Sequence, residues 1–95
     1  MTPPALTPPF DLVVARSAAR SIGEVLPEAV AVAVIDFITG PLMESPRQVG
    51  KPLGRELTGL WSARRGTYRV IYRIADDAGA IEVLRVDHRR DVYRS

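Results

Sequence analysis

Residues 60–75, LWSARRGTYRVIYRIA, alternate apolar and polar side chains on either side of Gly66-Thr67. A period of two marks a strand, and glycine at the first central position of a two-residue loop fits a type II′ hairpin turn. That turn fixes one register. Arg65 lies opposite Tyr68, Arg64 opposite Arg69, Ala63 opposite Val70, Ser62 opposite Ile71 and Trp61 opposite Tyr72. One side of the hairpin then carries Trp61, Ala63, Val70, Tyr72 and Ile74, which must be covered. The other carries Ser62, Arg64, Arg69, Ile71 and Arg73, a cationic and largely bare surface. Like charges directly opposite one another on a sheet cost stability. Folding alone gives no reason to pair Arg64 with Arg69.

What covers the apolar side is read from the rest of the chain. Residues 1–9 are Pro-rich and read as a loose tail, so the domain is expected over 10–95. "FDLVVA" (10–15) is short, β-branched and free of Gly and Pro, and reads as a first strand. "SAARSIGEV" (17–25) reads as a short helix with Ser17 placed to cap it. Pro27 suits the first turn of a second helix over 28–38, with Val30, Val34, Phe37 and Ile38 on one stripe. Gly40-Pro41 weakens or ends it, and 44–59 is a loop-rich crossing segment. Strands follow at 60–65, 68–75 and 80–86, with "DDAG" (76–79) as the second turn and a short tail from 87. The order is β-α-α-β-β-β. Two N-terminal helices packed on one face of a small, mostly antiparallel four-stranded sheet make an α+β fold.

Charge is divided unevenly along this chain. Residues 1–46 hold two cations and five acids, whereas 47–95 hold eleven cations and six acids, ten of the eleven being arginine. Arginine stays charged and its planar fork matches phosphate oxygens, so the basic half points to an anionic partner, nucleic acid first. The ordinary alternative is a solvated charged surface. There is no cysteine and one histidine, which leaves no disulfide framework and no ligand cluster for a metal. No Gly-rich phosphate loop precedes a helix, and no serine lies in a nucleophile-elbow context. No cofactor is expected. The N-terminus lacks the charge and apolar run of a signal peptide, and no apolar run approaches a membrane span, so a cytoplasmic location is expected.

The candidate chemistry lies in the arginine surface and the tail "HRRDVYR" (88–94). His88 is the one side chain whose unperturbed pKa allows proton transfer near neutrality. Tyr93 can stack on a base or donate a hydrogen bond, or be an edge aromatic. Either Arg89 or Arg90 can return to the sheet while the other pairs with Asp91. A structural role for Arg69 would tie it to an acid such as Asp87 or Glu82.

"KPL" (51–53), "GLWSARRGTYRVIYRI" (59–74) and "VLRVDHRRDVYR" (83–94) together resemble the RelE/ParE toxin superfamily of toxin–antitoxin systems, and look closest to its RelE branch. The resemblance spans 10–94 in element order. It implies a ribosome-dependent endoribonuclease that cuts mRNA and is neutralised by a cognate antitoxin. By position, the family's tyrosine–arginine pair falls on Tyr68-Arg69, whose arginine contacts the scissile phosphate. The arginine after the last strand falls on Arg89, where it stabilises phosphate charge. The C-terminal tyrosine falls on Tyr93, and Arg64 matches a basic residue of the first hairpin strand. Two positions that are basic in well-known RelE enzymes are Leu60 and Ser62 here, which draws attention to His88 as a proton carrier.

The expected reaction is metal-independent transphosphorylation, with Arg64, Arg69 and Arg89 meeting phosphate charge and His88 or Tyr93 moving a proton. Lys51, Arg65, Arg73 and Arg90 are candidate RNA-binding cations. The alternatives are a ParE-like inhibitor of DNA gyrase without nuclease activity, and a non-enzymatic nucleic-acid-binding module.

Overall fold

In the computed structural model, which describes residues 10–88, five strands form a single sheet with the helices on one face. The strands are β1 (Asp11–Val14), β2 (Lys51–Pro52), β3 (Leu60–Arg65), β4 (Tyr68–Ala75) and β5 (Ala80–His88). Their order across the sheet is β1-β5-β4-β3-β2, with β1 parallel to β5 and every other pair antiparallel. The sheet therefore has one strand more than the four expected. Lys51 pairs with Ser62 and Pro52 with Trp61, so the crossing segment contributes a two-residue edge strand. Proline lacks the N–H a central strand needs, and an edge position tolerates it. A strand this short carries no readable alternation.

The helices are α1 (Arg16–Arg20), which continues through a wider π-helical stretch at Ser21–Val25, α2 (Glu28–Thr39) and the single turn α3 (Pro41–Glu44). Ser17 does not cap α1. The helix starts one residue before it, and the Ser17 hydroxyl instead donates to the Leu84 carbonyl at 3.4 Å. Val34, Phe37 and Ile38 of α2 are buried, and Val30 packs against them, as the helical stripe predicts. They meet Val70, Tyr72, Ile81, Val83 and Val86 from the two central strands in one core. Phe37 meets Tyr68 edge-on with 6.3 Å between ring centroids. Among the described residues no helix is long and apolar enough to cross a membrane.

The hairpin has the expected register throughout, with Gly66 at φ 55° and no positive φ at Thr67. That sign pattern is the one a type II′ turn requires. Strand β5 runs two residues past the expected end at 86, because Asp87 pairs with Arg69 and His88 with Tyr68 up to the hairpin tip. Pairing also shifts between Ile71–Arg85 and Tyr72–Val83, leaving Leu84 as an extra residue on β5. This bulge re-phases the strand. Val83 and Val86, three residues apart, both reach the core, and Arg85 and Asp87 turn to the outer face.

Candidate functional site

The outer face of the sheet is organised in rows set by strand pairing. Arg64, Arg69 and Asp87 form one row, and Lys51, Ser62, Ile71 and Arg85 form the next. Leu60, Arg73 and Glu82 form a third. Residues paired across neighbouring strands share a face, so Lys51, Arg64, Arg69, Arg73 and Arg85 all project from the side away from the helices.

Their charges are not equally available. Arg73 Nη2 bonds Glu82 Oε1 at 2.5 Å, and Arg85 Nε bonds Asp87 Oδ1 at 2.8 Å. Arg69 Nη2 lies 3.6 Å from Asp87 Oδ2, an ion pair too long for a hydrogen bond. Arg64 has no ion pair among the described residues. Of the two opposed guanidinium groups, only that of Arg69 thus reaches this carboxylate, which already serves Arg85. The Arg64–Arg69 row borders an open cleft of about 560 Å³ whose other walls include Gln48, Gly50, Lys51 and Ser62. Arg73 lies four residues along β4 from Arg69, about 13 Å at the usual strand rise, and is not brought into this cleft.

The cleft wall is held from behind by a buried tyrosine. Tyr72 is inaccessible to solvent, stacks with Trp61 at 6.3 Å, and donates its hydroxyl to the Pro46 carbonyl at 2.5 Å. Burial pushes the Tyr72 phenol up to about 12, while the nearby charge of Arg65 pulls weakly the other way. Burial also raises Tyr68. Gly50 lies directly over this hydroxyl. A side chain there would collide with Tyr72 and stand 2.8 Å from the Ser62 carbonyl. The segment can cross here only with glycine at this point.

Two expected site residues hold helix-side positions in the sheet, and of these the side chain of Arg65 also lines the cleft. His88 pairs with Tyr68, which puts it half-buried on the helix side rather than beside Arg69. Arg65 also pairs with Tyr68, and its guanidinium lies 4.9 Å from the centre of the Phe37 ring. Arg89, Arg90 and Tyr93 lie outside the described residues. Asp87 was visible in the sequence only as a possible structural partner of Arg69. Its place between two arginines follows from the bulge, whose sole sequence trace is the three-residue spacing of Val83 and Val86.

The profile described as ParE toxin of type II toxin-antitoxin system, parDE, matches residues 16–93. The chain belongs to the RelE/ParE toxin superfamily. The toxin is 55% identical to Toxin RelG of Mycobacterium tuberculosis over 69 residues, 73% of this chain and 79% of that one. It is 42% identical to Toxin RelE of the same organism over 86 residues, 90% of this chain and 88% of that one. Its fold matches a chain of the toxin-antitoxin complex RelBE2 from M. tuberculosis with a TM-score of 0.82 and 46% identity, covering 86% of the toxin and all (100%) of that chain. The isolated E. coli RelE toxin shares the fold at a TM-score of 0.69 and 20% identity, with 83% of each chain covered.

Proposed function

We propose that this toxin is an endoribonuclease that cleaves mRNA on the ribosome and is held inactive by a cognate antitoxin. The observation that carries the reading is the opposed Arg64–Arg69 pair at the edge of an open cleft, where among the described residues Arg69 alone of the two meets a carboxylate, at 3.6 Å. A phosphate lying between the two guanidinium groups would relieve their repulsion and receive fixed positive charge. The relatives named RelE and RelG support the same reading.

The chemistry assigned is transphosphorylation. The ribose 2′-oxygen loses its proton and attacks the adjacent phosphorus, and the 5′-oxygen of the next nucleotide leaves with a proton. A 2′,3′-cyclic phosphate and a 5′-hydroxyl result. Negative charge accumulates on the phosphorane, where Arg64 and Arg69 act, with Arg89 assigned the same role by resemblance. Groups already in place at such a position supply typically 10²–10³ in rate each. Lys51, on the facing wall, holds a flanking phosphate. The two proton transfers fall to His88 or Tyr93, and His88 would act from around the end of β5.

With Leu60 and Ser62 in place of basic residues, the cleft offers no strong base on β3. Substrate geometry must then come from the ribosome, since positioning is itself a large share of such rate gains. The antitoxin is assigned an acidic or amphipathic segment that covers the basic face.

The test is cleavage mapping in a translating extract, with wild-type toxin beside Arg64→Ala and Arg69→Ala. Ribosome-dependent cuts lost in both variants are expected. Full cutting of naked RNA without ribosomes would remove the ribosome from the reading. A second reading, gyrase inhibition, is favoured by the ParE description of the matching profile. Gyrase-linked DNA breaks without RNA cleavage would establish it instead.

A further inference from the structure

Arg65 ends β3 as an exposed cation that lines the cleft, and its charge and place alone would rank it with the RNA-binding residues. Its contacts say otherwise. The guanidinium face packs over the buried Phe37 ring of α2, with 4.9 Å from its central carbon to the ring centroid. Nη1 donates to the Arg64 carbonyl at 2.7 Å, and Nη2 donates to the Val49 carbonyl at 3.1 Å. Among the described residues it forms no ion pair. One side chain therefore joins three separate pieces of chain: α2, the hairpin, and the crossing segment that walls the cleft.

The two carbonyls it holds are not incidental. Arg64 faces Arg69 on the outer side of the sheet, and Val49 lies two residues before Lys51 on the opposite wall. Both cations that would meet substrate phosphate from these walls sit within two residues of a carbonyl fixed by Arg65. Planarity lets guanidinium stack on an aromatic ring while its edge bonds two acceptors, a combination an ammonium cannot make.

We propose that Arg65 is a positioning residue, which sets the spacing between the Arg64 and Lys51 sides of the cleft without itself touching RNA. This rests on the nuclease reading above. It assigns a residue that binds nothing a share in the rate, through the geometry of the groups it holds.

The experiment compares wild-type toxin with Arg65→Lys and Arg65→Ala in three measurements. The first is amide hydrogen exchange of the free toxin over 47–53. The second is kcat and KM for mRNA cleavage on ribosomes, and the third is the salt dependence of binding to a short single-stranded RNA. Both variants should exchange about tenfold faster over 47–53, because a local constraint is lost while the core is intact. In both, kcat should fall about tenfold or more with KM within about twofold, since misplacement of reacting groups is costly. The salt slope should not move.

A slope reduced by about 0.7 in Arg65→Ala, with KM raised and kcat kept, would make Arg65 a phosphate contact and overturn the proposal. Unchanged exchange over 47–53 would overturn it too. So would a lower denaturation midpoint with kcat preserved, which is what a merely structural residue gives. Arg65→Lys keeps the charge and the bulk of the side chain, so it tests the fork even where Arg65→Ala fails to fold. If wild-type toxin cleaves no RNA, the nuclease reading falls, and the exchange data still decide whether Arg65 holds the wall.

Discussion

Arg69 stands directly across the β3–β4 ladder from Arg64, and its nearest described carboxylate, that of Asp87, is 3.6 Å away and bonded at 2.8 Å to Arg85. Two small terms therefore oppose each other at Arg69. Repulsion between opposed like charges on a sheet is worth up to ~1 kcal/mol. A half-exposed ion pair of this length is worth about 0–1 kcal/mol in the other direction. Neither decides stability.

Arg69→Ala should accordingly shift folding stability by less than about 1 kcal/mol while RNA cleavage and growth arrest drop by about 10²–10³. Urea midpoints measured beside cleavage rates check both halves. A clearly destabilised variant that still cuts RNA would make the Asp87 contact, and not a phosphate, the purpose of Arg69.

Asp87→Asn removes the one carboxylate that, among the described residues, competes with phosphate for Arg69. A unit charge at 4 Å in water is worth about 1 kcal/mol, so binding of a short RNA should tighten by about fivefold. The hydrogen bond from Arg85 can pass to the amide oxygen, which keeps the fold. Affinities measured at low and high salt test this, and the gain should shrink as salt screens it. Weaker binding would show that Asp87 orients Arg69 more than it neutralises it.

Gly50→Ala should lower stability by about 1–3 kcal/mol, the usual cost of forcing atoms into packed space. Tyr72→Phe should also cost about 1–3 kcal/mol, since the buried Pro46 carbonyl loses its donor. The double variant should cost less than the sum, because removing the hydroxyl relieves one of the two collisions at residue 50. Denaturation midpoints of the four proteins give the coupling. Strict additivity would mean that the Ser62 carbonyl, and not Tyr72, excludes a side chain there.

The pairing pattern was legible because a two-residue turn admits one register and alternation names the faces. Val34, Phe37 and Ile38 were legible for the same reason, as a period repeated within one element. What the sequence concealed arises between elements. Strand β2 is two residues long and exists only because Ser62 and Trp61 offer it an edge. His88 and Asp87 read as tail because nothing local extends β5 beyond Val86; pairing to Tyr68 and Arg69 does. Arg65 and Arg64 are adjacent and chemically identical, and only the pleat sets one over Phe37 and the other opposite Arg69.

Alkaline pH should unfold the toxin through Tyr72. Below pH 10 the phenol keeps its proton in both folded and unfolded chains, and the contribution is constant. Above pH 10 the unfolded chain ionises first, whereas the folded one holds the proton to about 12. The folded state then binds more protons, so stability falls as pH rises through that window. Tyr68, raised in the same direction, adds to the fall. Urea midpoints between pH 9 and pH 11.5 should drop more steeply for wild-type toxin than for Tyr72→Phe. Parallel curves would place the alkaline transition elsewhere.

The parallel pairing of β1 with β5 has a consequence for synthesis. The last described strand in the sequence lies second in the sheet, between β1 and β4, so neither neighbour is complete until it arrives. Asp11 waits for Ala80, a closure across most of the chain, and contacts so distant in sequence form slowly. Before β5 has emerged, the hairpin can form but its arginine row has no β5 beside it. The surface that carries Arg69 next to Asp87 thus forms only after the hairpin itself. A chain that stops short of β5 has the arginines without the sheet that aims them.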